Sequence, residues 1–236
     1  MSRPWVLMYH AVEPYDDDPH LACVSPARFR LQLRWLADRG LVGVSMRELR
    51  QRSAVGRARG LVGLTFDDAY AGFMEHVVPV LSDHGFSATV FAVAGRLGGI
   101  NDWDDGPQRA LLGARELIAL AAGRMEVGSH GLSHTAMAGM PPEQLLRETV
   151  ESRSVLKELV GASIDGFCYP YGSFDEAALV AVREAGYEYA CAVSPGKWDS
   201  RYLIPRAYIG ERDGAVRLSA KLVVHRLGLR SPPQTR

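Results

Sequence analysis

Cysteine is scarce in this chain: 236 residues carry three, Cys23, Cys168 and Cys191. Three scattered cysteines cannot build the disulfide framework of a small secreted scaffold, and they fit a reducing compartment. Cys168 and Cys191 fall in apolar, strand-like stretches and read as small core residues. Net charge is missing too, with 27 basic against 27 acidic side chains. That balance leaves no electrostatic footprint for a nucleic acid. No run of 18 apolar residues occurs, so nothing reads as a membrane span. Residues 4–9 are too short an apolar run for a signal peptide and lack a basic leader. The expectation is a cytoplasmic protein, with secretion of a trimmed form left open.

What is present is enough for one well-buried domain: 47% hydrophobic and 23% charged residues,. Short apolar, strand-like runs at 5–10, 41–44, 60–64, 87–94, 167–169, 187–193 and 203–209 alternate with helical patterns. Ser25-Pro26 predicts a helix start that Gly40 closes, and Ser45-Met46-Arg47-Glu48 predicts another. A basic, flexible stretch is expected over 50–60, and helices over 73–84, 114–122 and 175–185. The clearest amphipathic helix is expected over 141–160, with Leu145, Leu146, Val150 and Leu156 inward. Over 216–229, Val216, Leu218, Leu222, Val223 and Leu227 predict a further helical face. Alternating strands and helices are the α/β signature of a parallel sheet or barrel. The domain is expected over 1–230, and residues 231–236 read as a polar, disordered tail.

Two stretches carry chemistry. Thr65-Phe66-Asp67-Asp68 puts two carboxylates where a buried strand ends, the end at which parallel α/β folds gather their loops. Asp-Asp there reads either as a cap on the next helix or as two working carboxylates. Glu126-Val127-Gly128-Ser129-His130-Gly131-Leu132-Ser133-His134 bears on the choice. Two histidines four apart share a face on a helix or helical turn and can chelate one metal. Asp, His, His is a three-ligand set that leaves a coordination position for water, the catalytic rather than the structural pattern. The second carboxylate is then a ready general base.

These two stretches and Phe167-Cys168-Tyr169-Pro170-Tyr171-Gly172 occur in an order that resembles the first three motifs of the polysaccharide deacetylases, carbohydrate esterase family 4. The resemblance spans about residues 4–210. It implies a distorted (β/α) barrel of about seven parallel strands in a single domain, and metal-dependent removal of an acyl group from an amide or ester. It also implies that Asp68, His130 and His134 hold a divalent metal, zinc first, with cobalt or nickel also suited to the donors. Water activated by that metal would attack the carbonyl, Asp67 would take the proton, and the backbone N–H of Tyr171, beside Pro170, would stabilise the oxyanion. The implied substrate is an N-acetylated sugar, oligosaccharide or glycoconjugate. An amidohydrolase acting on a non-sugar amide, imide or formamide is the alternative, and a non-catalytic carbohydrate-binding relative a third reading.

The chain departs from the family pattern in ways that raise specific expectations. Cys168 stands where the family commonly carries an Arg that steadies the catalytic Asp; Arg206 in Leu203-Ile204-Pro205-Arg206 is the candidate substitute, or else a surface ion pair. An acidic-Trp cluster has only a weak match at Lys197-Trp198-Asp199. Trp103, within the long loop 95–113, reads either as a sugar-stacking platform or as an aromatic folded onto the barrel. The general acid is expected in a Leu-x-x-His string, and two compete. Leu222-Val223-Val224-His225 fits the string but lies in a helical pattern. Leu7-Met8-Tyr9-His10 resembles the Tyr-His that opens one subgroup, where the acid strand is shifted to the front. His10, at a strand end on the rim of Asp67, is the expected acid.

Overall fold

In the computed structural model, residues 4–193 and 200–228 are described. The Lys197-Trp198-Asp199 string and the expected tail over 231–236 lie outside the described residues. In order, the chain forms β1 (Trp5–Tyr9), β2 (Ala11–Val12), β3 (Cys23–Val24), α1 (Pro26–Ala37), β4 (Val42–Val44), α2 (Met46–Ala54) and β5 (Leu61–Phe66). A π-helical turn, Phe73–Val77, leads into α3 (Val78–His84), followed by β6 (Thr89–Ala92), α4 (Ala114–Ala122) and β7 (Glu126–Ser129). Then α5 (Pro142–Leu146) passes through a second π-helical turn, Arg147–Glu151, into α6 (Ser152–Val160). The rest is β8 (Gly166–Cys168), a 3-10 turn at Pro170–Gly172, α7 (Glu176–Glu184), β9 (Tyr189–Ala192), β10 (Ile204–Pro205), β11 (Ala207–Tyr208) and α8 (Ala215–Arg226).

The main sheet is parallel throughout and runs β10-β9-β8-β7-β6-β5-β1-β11, with β4 added beside β5. β10 and β11 are two halves of one short stretch, separated by Arg206. One half pairs with β9 and the other with β1, so the sheet curls round into a nearly closed barrel. Counting that broken stretch once gives eight parallel strands, seven round the barrel and β4 beside β5, against the about seven expected, in one α/β domain.

Period-2 alternation sorts the strand side chains. Trp5, Leu7, Tyr9, Leu64, Phe66, Val90, Val127 and Phe167 pack outward under the helices in the larger apolar cluster. Val6, Phe91, Cys168, Tyr189, Cys191 and Ile204 belong to a smaller cluster inside the barrel. Glycines make room for that interior: a Cβ on Gly128 would lie 2.6 Å from the Phe91 ring, and one on Gly166 would lie 2.2 Å from Tyr189 Oη. Ser25 caps α1 by accepting from the Arg28 N–H at 3.2 Å, and Pro26 opens it,.

Three expectations need correction. Of the stretch 50–60, the first part is helical rather than loose, because α2 continues to Ala54 on its buried Met46 and Leu49. On the helix formed by α5, the π turn and α6, Leu146 and Val150 are exposed. The inward stripe there is Leu145, Glu148, Thr149, Ser152 and Leu156; its middle is polar, so a hydrophobicity pattern points to the wrong face. On α8 only Leu218 and Leu222 are buried, whereas Val216, Val223 and Leu227 face out.

Candidate active site

Alternation along the strands also builds the site. Inward positions 6 and 8 of β1 lead to His10, 63 and 65 of β5 to Asp67, 126 and 128 of β7 to His130, and 204 of β10 to Arg206. These four strands therefore deliver their next inward side chains to one rim, at the carboxyl ends of the strands. Asp67, Asp68, His130 and His134 are all buried there.

Asp68 breaks the alternation. Its φ of 68°, followed by 58° at Ala69, turns its carboxylate away from Asp67 and towards the histidines. Asp68 Oδ1 lies 3.3 Å from His130 Nε2 and 3.2 Å from His134 Nε2. His130 Nδ1 is 2.8 Å from the carbonyl of Cys168. A carbonyl only accepts, so Nδ1 carries the proton and Nε2 is the nitrogen left to bind a ligand. Asp68 Oδ1 is buried and takes no hydrogen bond, and the three donor atoms lie within 4.8 Å of one another. An orphaned carboxylate oxygen facing two imidazole nitrogens is the donor set a divalent cation suits, so the residues fit the metal that the motifs imply.

Spacing alone does not bring the histidines together as expected. Residues 130–134 form no helix. A turn does the work, with φ of 83° at Gly131 and 62° at His134. Left-handed conformations at Asp68, Ala69, His134 and Tyr171 cluster at this rim, where strained backbone is held by its surroundings.

Asp67 faces the other way. Arg206 grips it with two hydrogen bonds, Nη1 to Oδ1 at 2.6 Å and Nη2 to Oδ2 at 2.8 Å. Arg206 also donates to Thr65 Oγ1 at 3.1 Å and to Cys168 Sγ at 3.0 Å. The guanidinium is fully buried, so it is no surface pair. Burial pushes the Asp67 carboxyl up, but the charge and hydrogen bonds of Arg206 outweigh it and hold the group below the usual range,. The Cys168 thiol touches Asp67 Oδ2 at 3.5 Å; the small side chain at position 168 is what leaves space for Arg206 to reach across. His10 Nε2 lies 4.0 Å from Asp67 Oδ2. Burial lowers the His10 pKa, with Asp67 and Asp68 pulling against it. His225 is far from this rim: it stacks on Trp5, at the amino end of β1, with ring centroids 6.1 Å apart.

Aromatic side chains wall the site. Trp103 stacks on His134 at 4.3 Å between centroids, and Tyr171 meets the same imidazole edge-on at 4.6 Å. Tyr171 Oη donates to Asp104 at 3.0 Å, tying the loop over 95–113 to the turn that begins at Pro170. Trp103 is half-buried, stacked on His134 and packed against the small apolar cluster of Ala11, Cys23, Tyr70 and Leu111. The residue that sequence reading missed is Glu148. From the π turn its carboxylate reaches the backbone between the two histidines, accepting from the Leu132 N–H at 2.7 Å and the Ser133 N–H at 3.1 Å. The stripe Leu145, Thr149, Ser152, Leu156 at helical spacing was the available signal, had its polar members been read as inward.

A family profile for polysaccharide deacetylases matches residues 55–190, more than half of the chain. The chain belongs to the polysaccharide deacetylase family. Among curated relatives, YxkH of Bacillus subtilis (strain 168), a candidate polysaccharide deacetylase, is 23% identical over 193 residues, which are 81% of this chain and 64% of YxkH. The poly-beta-1,6-N-acetyl-D-glucosamine N-deacetylase of Staphylococcus aureus (strain MSSA476) is 23% identical over 80% of this chain and 68% of that enzyme. The chain therefore spans about two thirds of the length of these relatives. Among solved structures, the Streptococcus pyogenes deacetylase PplD in complex with acetate superposes with a TM-score of 0.80 at 20% identity, covering 97% of this chain and 98% of PplD. IcaB from Ammonifex degensii gives 0.74 at 21% identity, covering 93% of this chain and 97% of IcaB. Both structural likenesses show the shared fold.

Proposed function

We propose that this member of the family removes an N-acetyl group from an amino-sugar substrate, an oligosaccharide or glycoconjugate, by metal-assisted hydrolysis. The observation that carries the reading is the pairing, on one rim, of a buried Asp-His-His donor set with a separate carboxylate, Asp67, gripped by Arg206. The name of the Staphylococcus aureus relative, a deacetylase of an N-acetylglucosamine polymer, supports the choice of substrate.

Asp68, His130 and His134 would hold the ion, with zinc, cobalt or nickel suited to two imidazoles and a carboxylate. When bound, such an ion supplies Lewis acidity, easing the deprotonation of water and polarising the acetyl carbonyl. Asp67 takes a proton from the attacking water. Arg206 keeps it ionised for that purpose and fixes its orientation through the two-pronged grip. The backbone N–H of Tyr171, beside Pro170, stabilises the charge that develops on the carbonyl oxygen. His10, beside Asp67, gives a proton to the departing amine,. Trp103, half-buried at the same rim, would stack on the sugar ring,. Acetate and a free amino sugar result.

The test is an acetate-release screen with zinc, cobalt or nickel over N-acetylglucosamine monomers, oligomers and nucleotide sugars, with Asp67→Asn as the blank. Release from a sugar that requires both metal and Asp67 supports the proposal. Turnover only of non-sugar amides, imides or formamides moves the chain to the amidohydrolase reading. Sugar binding without turnover in any metal marks a non-catalytic relative.

A further inference from the structure

The turn that carries His130 and His134 has three consecutive backbone N–H groups, and each is captured. Gly131 N–H goes to Ser129 Oγ at 3.2 Å. Leu132 and Ser133 N–H both go to one oxygen of Glu148, Oε2. The Ser133 hydroxyl donates to the other oxygen, Oε1. On the far side, the carbonyls of Gly131 and Leu132 accept from the N–H groups of Ala94 and Gly95, at 2.9 and 2.8 Å. Successive amides pointing into one concavity form an anion-binding nest, and here the anion is a side chain of the protein.

Glu148 is itself held. It is buried and lies in the π turn Arg147–Glu151, a helix irregularity of the kind that recurs at functional sites,. Its carbonyl accepts from Ser152 Oγ at 2.6 Å, and Ser152 Oγ lies 3.0 Å from Ser129 Oγ at the end of β7. One helical segment thus grips both the strand end before the turn and the turn itself. The same carboxylate explains the glycine in Ser129-His130-Gly131. At φ 83°, a Cβ on residue 131 would lie 2.7 Å from Glu148 Oε2, so the turn needs glycine for its backbone and for the acid beside it.

We infer that Glu148 is a positioning residue for the cation site: it templates the turn that aims His130 and His134 at Asp68, and thereby sets cation affinity. The inference rests on the reading of Asp68, His130 and His134 as ligands. Ligand orientation by outer groups is worth about 10–100-fold in metal affinity, and Glu148 acts on two ligands through their shared backbone.

The experiment measures zinc affinity by competition with a chromogenic chelator, alongside the melting temperature of the metal-free protein, for the wild type, Glu148→Ala, Glu148→Asp and Glu148→Gln. Glu151→Gln, on the exposed side of the same π turn, is the control. Glu148→Ala should bind zinc about 10–100-fold more weakly. Glu148→Asp keeps the charge but is one methylene too short, and should fall with it. Glu148→Gln should keep most of the affinity, because an amide oxygen can accept both N–H groups and Ser133 can reverse its hydroxyl. Glu151→Gln should be unchanged. Should Glu148→Ala fail to fold, the Asp and Gln pair carries the test. Wild-type affinity in folded Glu148→Ala or Glu148→Asp, with only the melting temperature lowered, overturns the inference and leaves Glu148 a packing residue. A wild type that binds no zinc, cobalt or nickel overturns the ligand reading beneath it, a different result from the first.

Discussion

Replacing Arg206 by methionine removes the charge while keeping most of the side-chain volume. Arg206 is fully enclosed and Asp67 nearly so, so the change strands a carboxylate with Cys168 Sγ at 3.5 Å and His10 Nε2 at 4.0 Å as neighbours. Breaking a buried pair by removing one partner costs about 3–5 kcal/mol, a large part of the roughly 5–15 kcal/mol that holds a domain together. At about 2–4 °C per kcal/mol for a chain of this size, the melting temperature should drop by roughly 6–20 °C at neutral pH. The pH dependence follows from the sign of the shift. In the wild type Asp67 titrates below its ordinary value, so the pair contributes fully above a pH of about 4 and is lost as pH falls through that lowered pKa. In Arg206→Met, burial, which raises the pKa, is opposed only by the nearby His130 and His10, so stability is lost as pH rises instead. The gap between the two proteins should be widest at neutral pH and shrink towards pH 3. Thermal unfolding followed by circular dichroism across that range is the assay. A double variant with Asp67→Asn should melt above the value expected from the two single losses. If Arg206→Met melts within about 2 °C of wild type at neutral pH, with a gap that does not narrow in acid, the Arg206–Asp67 argument is wrong.

Asp68→Ala, His130→Ala and His134→Ala should each release the metal and end turnover; full metal occupancy in the His130→Ala, His134→Ala double variant, by elemental analysis, would refute the ligand set. Asp67→Asn should keep the metal and lose turnover by about 10²–10⁴-fold, the usual worth of a general base; metal loss here, with metal kept in Asp68→Asn, would reverse the roles. His10→Ala should lose most turnover with metal retained. A general acid works only while protonated, so the alkaline limb of the pH–rate profile should disappear with His10. His225→Ala should leave that limb in place; the opposite pattern would move the acid to His225. Trp103→Ala should raise KM by roughly 2–12-fold with kcat little changed, the range expected for one stacking contact of about 0.5–1.5 kcal/mol; an unchanged KM would remove Trp103 from the substrate site.

The sequence by itself determined the strand ends and the donor types. Short apolar runs with period-2 burial fix which residue of each strand points inward, so His10, Asp67 and His130 follow from local pattern once the strands are parallel. It also placed Arg206 as a break in the last strand and kept His225 on a helix. Tertiary structure decided what local pattern cannot carry. Arg206 reaches Asp67 across 139 positions of chain, because barrel closure sets β11 beside β1 and Cys168 leaves the space. The histidines converge through a left-handed turn rather than through helical spacing. Glu148 was hidden because a hydrophobic pattern marks buried faces only when those faces are apolar, and the inward face of this helix is polar in the middle. The amides it caps belong to backbone that leaves no mark on composition, and only the folded chain shows which carboxylate answers them.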